Sequence, residues 1–234
     1  MTIVLTAAAL IAGYLIGSIM NAVLIAKAKH RDIRECGSGN AGSTNILRTF
    51  GWKWGLLCLV LDSLKGVISV LIGKGLGLLA LRFFPNELFL ADFPTFLGCV
   101  GCFGALLGHL LPVFFGFRGG KSVAVALGAF LVLAPVQLLI ALGIAIVLIA
   151  ITRMVSVGSL IGTLITSVLV IIKHFGNIPM MVISVIVILI IVIAHLPNVQ
   201  RIMEGKERTI ENIEWESGKA QLDNDSKDPK RKGK

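Results

Sequence analysis

Uncharged apolar stretches long enough to cross a lipid bilayer dominate this chain, and no other feature restricts its fold so tightly. Thr2 to Ala26 carries no charged side chain. Later runs reach or approach the ~20 apolar residues that span the hydrocarbon core. Hydrophobic residues make up 56% of the chain and charged residues 15%, against about 25% charged in soluble domains. The pattern implies an all-α polytopic membrane protein. Hydropathy sets the spans at 3–26, 54–75, 94–115, 121–134, 136–152, 156–173 and 178–196. Pro135 divides what would otherwise be one very long run. Proline lacks the backbone donor and clashes with the preceding turn, so two short helices and seven spans are expected. One kinked helix and six spans form the alternative. The first run has no basic start and no small-residue cleavage site, as a retained span would.

Charge orients the spans. The net charge is +9, and residues 199–234, with nine Lys/Arg and eight Asp/Glu, account for only +1 of it. Lys27, Lys29, Arg31, Arg34, Arg48 and Lys53 fill the first connection, Arg118 and Lys121 the third, and Arg153 the fifth; Arg201, Lys206 and Arg208 open the tail. The alternate connections hold only Lys74, Arg82 and Lys173. Basic residues mark the cytoplasmic side, so the N-terminus is expected outside and the C-terminus in the cytoplasm. Residues 76–93, with Phe83, Phe84, Pro85 and Phe89, suggest an external interfacial loop. One catalytic domain is expected over 1–200, followed by a polar, disordered cytoplasmic tail over 201–234. Cys99 and Cys102 have CxxC spacing inside an apolar helix with no second pair, which suits helix contacts better than a metal.

With that topology, every unusual polar cluster faces the cytoplasm. The first is RECGSGNAGSTNILR, residues 34–48. Gly37, Gly39 and Gly42 permit positive φ and close backbone approach, and successive amides in such turns form anion-binding nests. Ser38, Asn40, Ser43, Thr44 and Asn45 add short donors and acceptors, and Arg34 and Arg48 bracket them with planar cations suited to phosphate. The second is DSLKG, where Asp62 and Lys65 share a helix face inside a span. Intramembrane charges are functional candidates or a structural ion pair joining helices. The third is GHLLPVFFGFRGGKSVA, residues 108–124. Gly119 and Gly120 break the helix, and Lys121 and Ser122 open the next one, where free amides attract anions. A Walker loop would need glycine where Phe115 stands, so an NTPase is rejected. His109, in isolation, suits a satisfied interior histidine. Ser156, Ser159, His195 and Asn198 lie in a fourth, weaker group at cytoplasmic span ends.

In these blocks the chain resembles the bacterial acyl-phosphate-dependent glycerol-3-phosphate acyltransferases of the inner membrane. The blocks are GSIMNAVLIAKAKHRDIRECGSGNAGSTNILR (17–48), DSLKG (62–66) and GHLLPVFFGFRGGKSVAVA, and their order and spacing match across roughly residues 10–210. The sequence departs from the family pattern at Ser43, Ser122, Val125 and Leu196-Pro197. The resemblance implies a multi-pass inner-membrane enzyme whose site faces the cytoplasm. It would move a fatty acyl group from acyl phosphate to the 1-hydroxyl of glycerol 3-phosphate, giving lysophosphatidic acid and phosphate. No cofactor, metal or nucleic acid is implied; membrane lipid and the enzyme that makes acyl phosphate are the expected partners. Under that reading Ser38, Asn45, Arg48 and Lys121 carry catalysis. Arg34, Gly37, Gly39, Asn40, Gly42, Thr44, His109, Gly119, Gly120, Ser122, Ser156, Ser159, His195 and Asn198 bind substrate or phosphate, and Asp62 with Lys65 holds the loops. A transporter for a small organic phosphate anion is the competing reading.

Overall fold

The computed structural model describes residues 1–84 and 92–210. Those residues form nine α-helices: α1 Thr2–Gly17, α2 Asn21–Ala28, α3 Ser43–Phe50, α4 Trp52–Phe83, α5 Phe93–Leu110, α6 Val123–Leu133, α7 Pro135–Thr152, α8 Val155–Lys173 and α9 Ile178–Met203. Six apolar segments are long enough to cross a bilayer, counting α1 and α2 as one run over Thr2–Ala28. The seventh expected span is α6. Its 11 residues rise only about 16 Å, roughly half of a ~30 Å core. Pro135 occupies the first turn of α7, and Ala134 before it leaves helical geometry with φ −153° and ψ 64°. Two helices therefore meet there, as proline sterics require, and the single kinked helix is ruled out.

Three boundaries differ from the sequence expectation. The first span is broken over residues 18–20, between α1 and α2. Residues 76–83, expected in an external loop, continue α4 through Phe83, because Leu76, Leu78, Leu79 and Leu81 sustain the helix beyond Gly75. Pro85 and Phe89 lie outside the described residues. The expected tail boundary at residue 200 is crossed by α9, which runs to Met203, and Glu207 beyond it is buried. Residues 211–234 of the tail lie outside the described part.

Small residues let the central helices approach closely, as in other membrane bundles. A Cβ on Gly17 of α1 would sit 2.2 Å from the Ala105 carbonyl oxygen of α5, so that crossing requires glycine. Helix α4 packs on α1, α5 and α6, while α7, α8 and α9 pair in sequence. Val70, Cys102, Leu106, Val125, Phe130, Ile183 and Ile191 lie in one buried apolar cluster beneath the polar end of the bundle. Cys99 and Cys102 are buried thiols, with Cys99 Sγ 3.8 Å from Met180 Sδ.

Candidate active site

Loop residues from four parts of the chain meet at one end of the bundle around a cavity of about 680 Å³. The first is the segment before α3. Gly37 and Gly39 adopt φ +55° and +70°, the positive-φ turns expected of a glycine-rich anion loop. Asn45 is the post around which that loop is wound. Its Nδ2 donates toward the carbonyls of Cys36 (2.9 Å), Ile33 (3.1 Å) and Asn40 (3.1 Å), and its Oδ1 accepts from the Ser38 amide at 3.1 Å. With its amide so committed and 1% exposed, Asn45 shapes the loop, and it also lines the cavity. Arg34 also faces backbone: one terminal nitrogen donates to the Phe115 and Arg118 carbonyls at 2.9 and 3.0 Å. It ties the first loop to the second and is absent from the cavity wall.

The second segment runs from α5 into α6. Gly120 donates its amide to the His109 carbonyl at 3.0 Å, folding the Gly119-Gly120 pair back over the end of α5. Ser122 sits in the left-handed region with φ +62°. Its hydroxyl donates to the Leu106 carbonyl at 2.9 Å, bracing the turn where Ser122 lines the cavity. Glycine adopts that backbone region without strain. Lys121 projects into the cavity and donates to Asn198 Oδ1.

Helix α9 and the strand of chain after it close the circle. Asn198 Nδ2 and Ser156 Oγ donate to Glu207 Oε1 at 2.7 and 2.8 Å, and Arg201 Nε donates to Glu207 Oε2 at 2.9 Å. Burial pushes the Glu207 carboxyl up, but the bonds from Asn198, Ser156 and Arg201 together with the Arg201 charge outweigh it, and the net shift is downward. Glu207 therefore stays anionic and organises three neighbours. Arg208 reaches back, its side chain donating to the Gly37 carbonyl at 3.3 Å while its own carbonyl accepts from Arg48 at 3.0 Å. His195 Nδ1 donates to the Ile191 carbonyl at 2.8 Å. In the neutral ring that leaves Nε2 to accept from Ser159 Oγ at 3.1 Å.

The cavity is cationic. Arg48, Lys121, Arg201 and Arg208 line it, against Asp62 and Glu207. Burial pushes the Lys121 ammonium down to about 8, Glu207 opposes the shift, and Arg201 and Arg48 add to it. Burial also lowers Arg48, partly offset by Glu207 and reinforced by Arg208 and Arg201. Arg48 Nε is buried without a hydrogen-bond partner among the described residues. Desolvated cations with an unused N–H form an environment that a phosphate dianion relieves.

A family model described as glycerol-3-phosphate acyltransferase matches residues 7–205. The chain belongs to this family. It is 48% identical over 132 residues to the glycerol-3-phosphate acyltransferase of Geobacter metallireducens, covering 56% of this chain and 60% of that protein. To the enzyme of the same name from Geobacter sulfurreducens it is 42% identical over 151 residues, 64% of this chain and 68% of that one. The alignments thus span about three fifths to two thirds of these relatives. The crystal structure of PlsY, an integral membrane glycerol 3-phosphate acyltransferase, in its glycerol 3-phosphate form matches with TM-score 0.76 at 31% identity, over 88% of this chain and 95% of that one. Its lysophosphatidic acid form matches with TM-score 0.73 at 31% identity, over 87% and 94%. The chain is accordingly an all-helical integral membrane protein.

Of the residues singled out in the sequence of this acyltransferase-family member, Ser38, Gly39, Asn40, Gly42, Thr44, Asn45, Arg48, His109, Lys121, Ser122, Ser156, Ser159, His195 and Asn198 all line the cavity. Asp62 lines it as well, while Lys65 stands behind it, 2.8 Å from Asp62 Oδ1. Gly37 and Gly119 lie behind the wall, Gly119 pressed against the α5 end, where a Cβ would meet the His109 carbonyl oxygen at 2.0 Å. Sequence reasoning missed Glu207. Its only local signal is an acidic residue between Lys206 and Arg208, nine positions after Asn198, within a stretch whose composition marks a solvated tail.

Proposed function

We propose that this chain transfers a fatty acyl group from acyl phosphate to the sn-1 hydroxyl of glycerol 3-phosphate, releasing lysophosphatidic acid and inorganic phosphate. The observation that carries the reading is the pairing of Arg48 and Lys121, two desolvated cations from different loops, across one cavity at the end of a hydrophobic bundle. Two phosphate-bearing substrates need two such sites side by side. The family match and the names of the PlsY forms support the substrate class.

The chemistry needs little covalent help. Acyl phosphate is a mixed anhydride with a good leaving group. The glycerol hydroxyl attacks the acyl carbon, the acyl–oxygen bond breaks, and the departing phosphate accepts the hydroxyl proton. Positioning and charge stabilisation then supply the rate. Ser38 and the loop amides to Asn40, with Lys121, hold one phosphate; Arg48 and Thr44 hold the other phosphate or the glycerol. Ser159 and His195 border the same space. We place the site at the cytoplasmic face of a bacterial inner membrane, with the N-terminus outside, because basic residues crowd that end. The enzyme that makes acyl phosphate is the natural supplier of the donor.

Purified protein given palmitoyl phosphate and glycerol 3-phosphate should form lysophosphatidic acid and phosphate in equal amounts, and should do neither with palmitoyl-CoA. Movement of labelled glycerol 3-phosphate across vesicles without phosphate release would replace this reading with a transporter.

A further inference from the structure

The site description leaves one buried cluster without a task. Lys65 lies on α4 with its side chain 6% exposed. Its ammonium lies 2.7 Å from the Ile19 carbonyl, 2.8 Å from Asp62 Oδ1, 3.0 Å from His109 Nδ1 and 3.3 Å from the Gly17 carbonyl. Asp62 Oδ1 also accepts from Asn21 Nδ2 at 2.8 Å. Part of this is structural. The break between α1 and α2 frees carbonyls inside the membrane, and these must find donors within the protein. A structural role does not explain the histidine. A lysine ammonium carries three hydrogens and no acceptor, so His109 Nδ1 beside it must accept, and the ring proton must sit on Nε2.

That second nitrogen is the one left for the cavity. His109 lines it, and no described protein atom accepts from Nε2. A Cβ on Gly120 would stand 2.4 Å from Nε2 and 2.9 Å from the Ala41 carbonyl oxygen. Any other residue at 120 would fill the space the imidazole edge occupies. Glycine keeps that edge open between the two phosphate loops.

We infer that Lys65 is a positioning residue which locks His109 as the Nε2–H tautomer, making it a neutral hydrogen-bond donor to a phosphate oxygen of substrate. The inference rests on the phosphate-handling reading above and adds to it a donor whose direction is set from inside the membrane. A neutral donor suits a cavity already crowded with cations, because it contacts the anion without adding another buried charge. Lysine, which cannot accept, enforces the choice; asparagine or serine at 65 would permit either tautomer.

The test uses the full chain in lipid nanodiscs with 15N-labelled histidine, His109 being assigned by loss of its signals in His109→Gln. The protein should show a protonated Nε2 and an unprotonated Nδ1. The Nε2 signal should move on saturation with inorganic phosphate. Glycerol 3-phosphate and a non-hydrolysable acyl phosphonate, added separately, then identify which substrate supplies the oxygen. His109→Ala should raise KM for that substrate alone about tenfold or more, and His109→Gln, which keeps an N–H near Nε2, should recover most of the loss. Lys65→Met should yield mixed tautomers. A proton on Nδ1 in the unmodified protein, or an Nε2 signal indifferent to every phosphate ligand, would overturn the inference, whether or not Lys65→Met folds. Because the spectra do not depend on turnover, a protein that binds phosphate at Nε2 yet transfers no acyl group would refute the proposed reaction and leave this donor standing.

Discussion

Single residues in the cavity act through what burial does to their charge. Lys121 titrates near 8 in the unliganded site because burial disfavours its ammonium. A phosphate dianion favours the protonated form, so binding takes up a proton above that pH. Glycerol 3-phosphate itself becomes a dianion only above about pH 6. Affinity should therefore peak between roughly pH 6 and 8 and fall by up to tenfold per unit above 8. Calorimetric titration across pH 5–10 checks this, and Lys121→Arg should remove the alkaline decline because guanidinium stays charged. Ser122 offers a second case. Its left-handed backbone costs about 1 kcal/mol or more, and its bond to Leu106 returns about 1 kcal/mol. Ser122→Gly loses the bond but relieves the strain, so its melting temperature should barely move. Ser122→Ala keeps the strain and loses the bond, and should melt lower by the equivalent of about 1–2 kcal/mol in detergent-solubilised protein.

Among the structural elements, the segment after α9 departs furthest from its sequence appearance. Residues 204–210 cross the cavity mouth, and the Ile210 amide donates to the Arg153 carbonyl at 2.8 Å. Removing the carboxylate in Glu207→Ala strands the Ser156 hydroxyl, the Asn198 amide and the Arg201 guanidinium. Breaking one side of a buried ionic cluster costs about 3–5 kcal/mol. The variant should lose most activity and melt earlier, and Glu207→Gln, which preserves shape and one acceptor, should fall between. Equal stability for all three proteins would show that the segment is ornamental. The convergence of Ser38, Arg48 and Lys121 was readable from residue types, because glycine-rich turns bracketed by cations announce themselves locally. Glu207 was hidden because its partners come from α8 and α9, and no spacing rule links a tail carboxylate to them. Arg34 stands off the cavity for the opposite reason. Its type fits phosphate, yet the Phe115 and Arg118 carbonyls of the second loop claim its donor. The break at 18–20 left only the Gly17-Ser18 pair and Asn21 as marks in an otherwise apolar run, too little to outweigh its hydropathy.

For the whole molecule, the decisive requirement is that both anion loops share one leaflet. Cys36 is the natural thiol that is partly exposed, the other three being buried. An impermeant maleimide should label Cys36, and Arg118→Cys in a Cys36→Ser background, from the same side of sealed membrane vesicles. Phe175→Cys, at the far end of α8 and 83% exposed in the wild-type side chain, should label only from the other side. Labelling of the first two from opposite faces would dismantle the shared cavity.

The order in which the chain reaches that cavity has a consequence for its biosynthesis. Among the described residues, every helix long enough to cross a bilayer precedes residue 204, whereas Glu207 and Arg208, which brace Ser156, Asn198, Gly37 and Arg48, come afterwards. A nascent polypeptide halted just short of them would have the described membrane segments inserted and still lack its anion clasp. The anion-binding cavity is thus completed only after the described membrane segments have been made, once the ribosome has released the stretch that draws the earlier loops together.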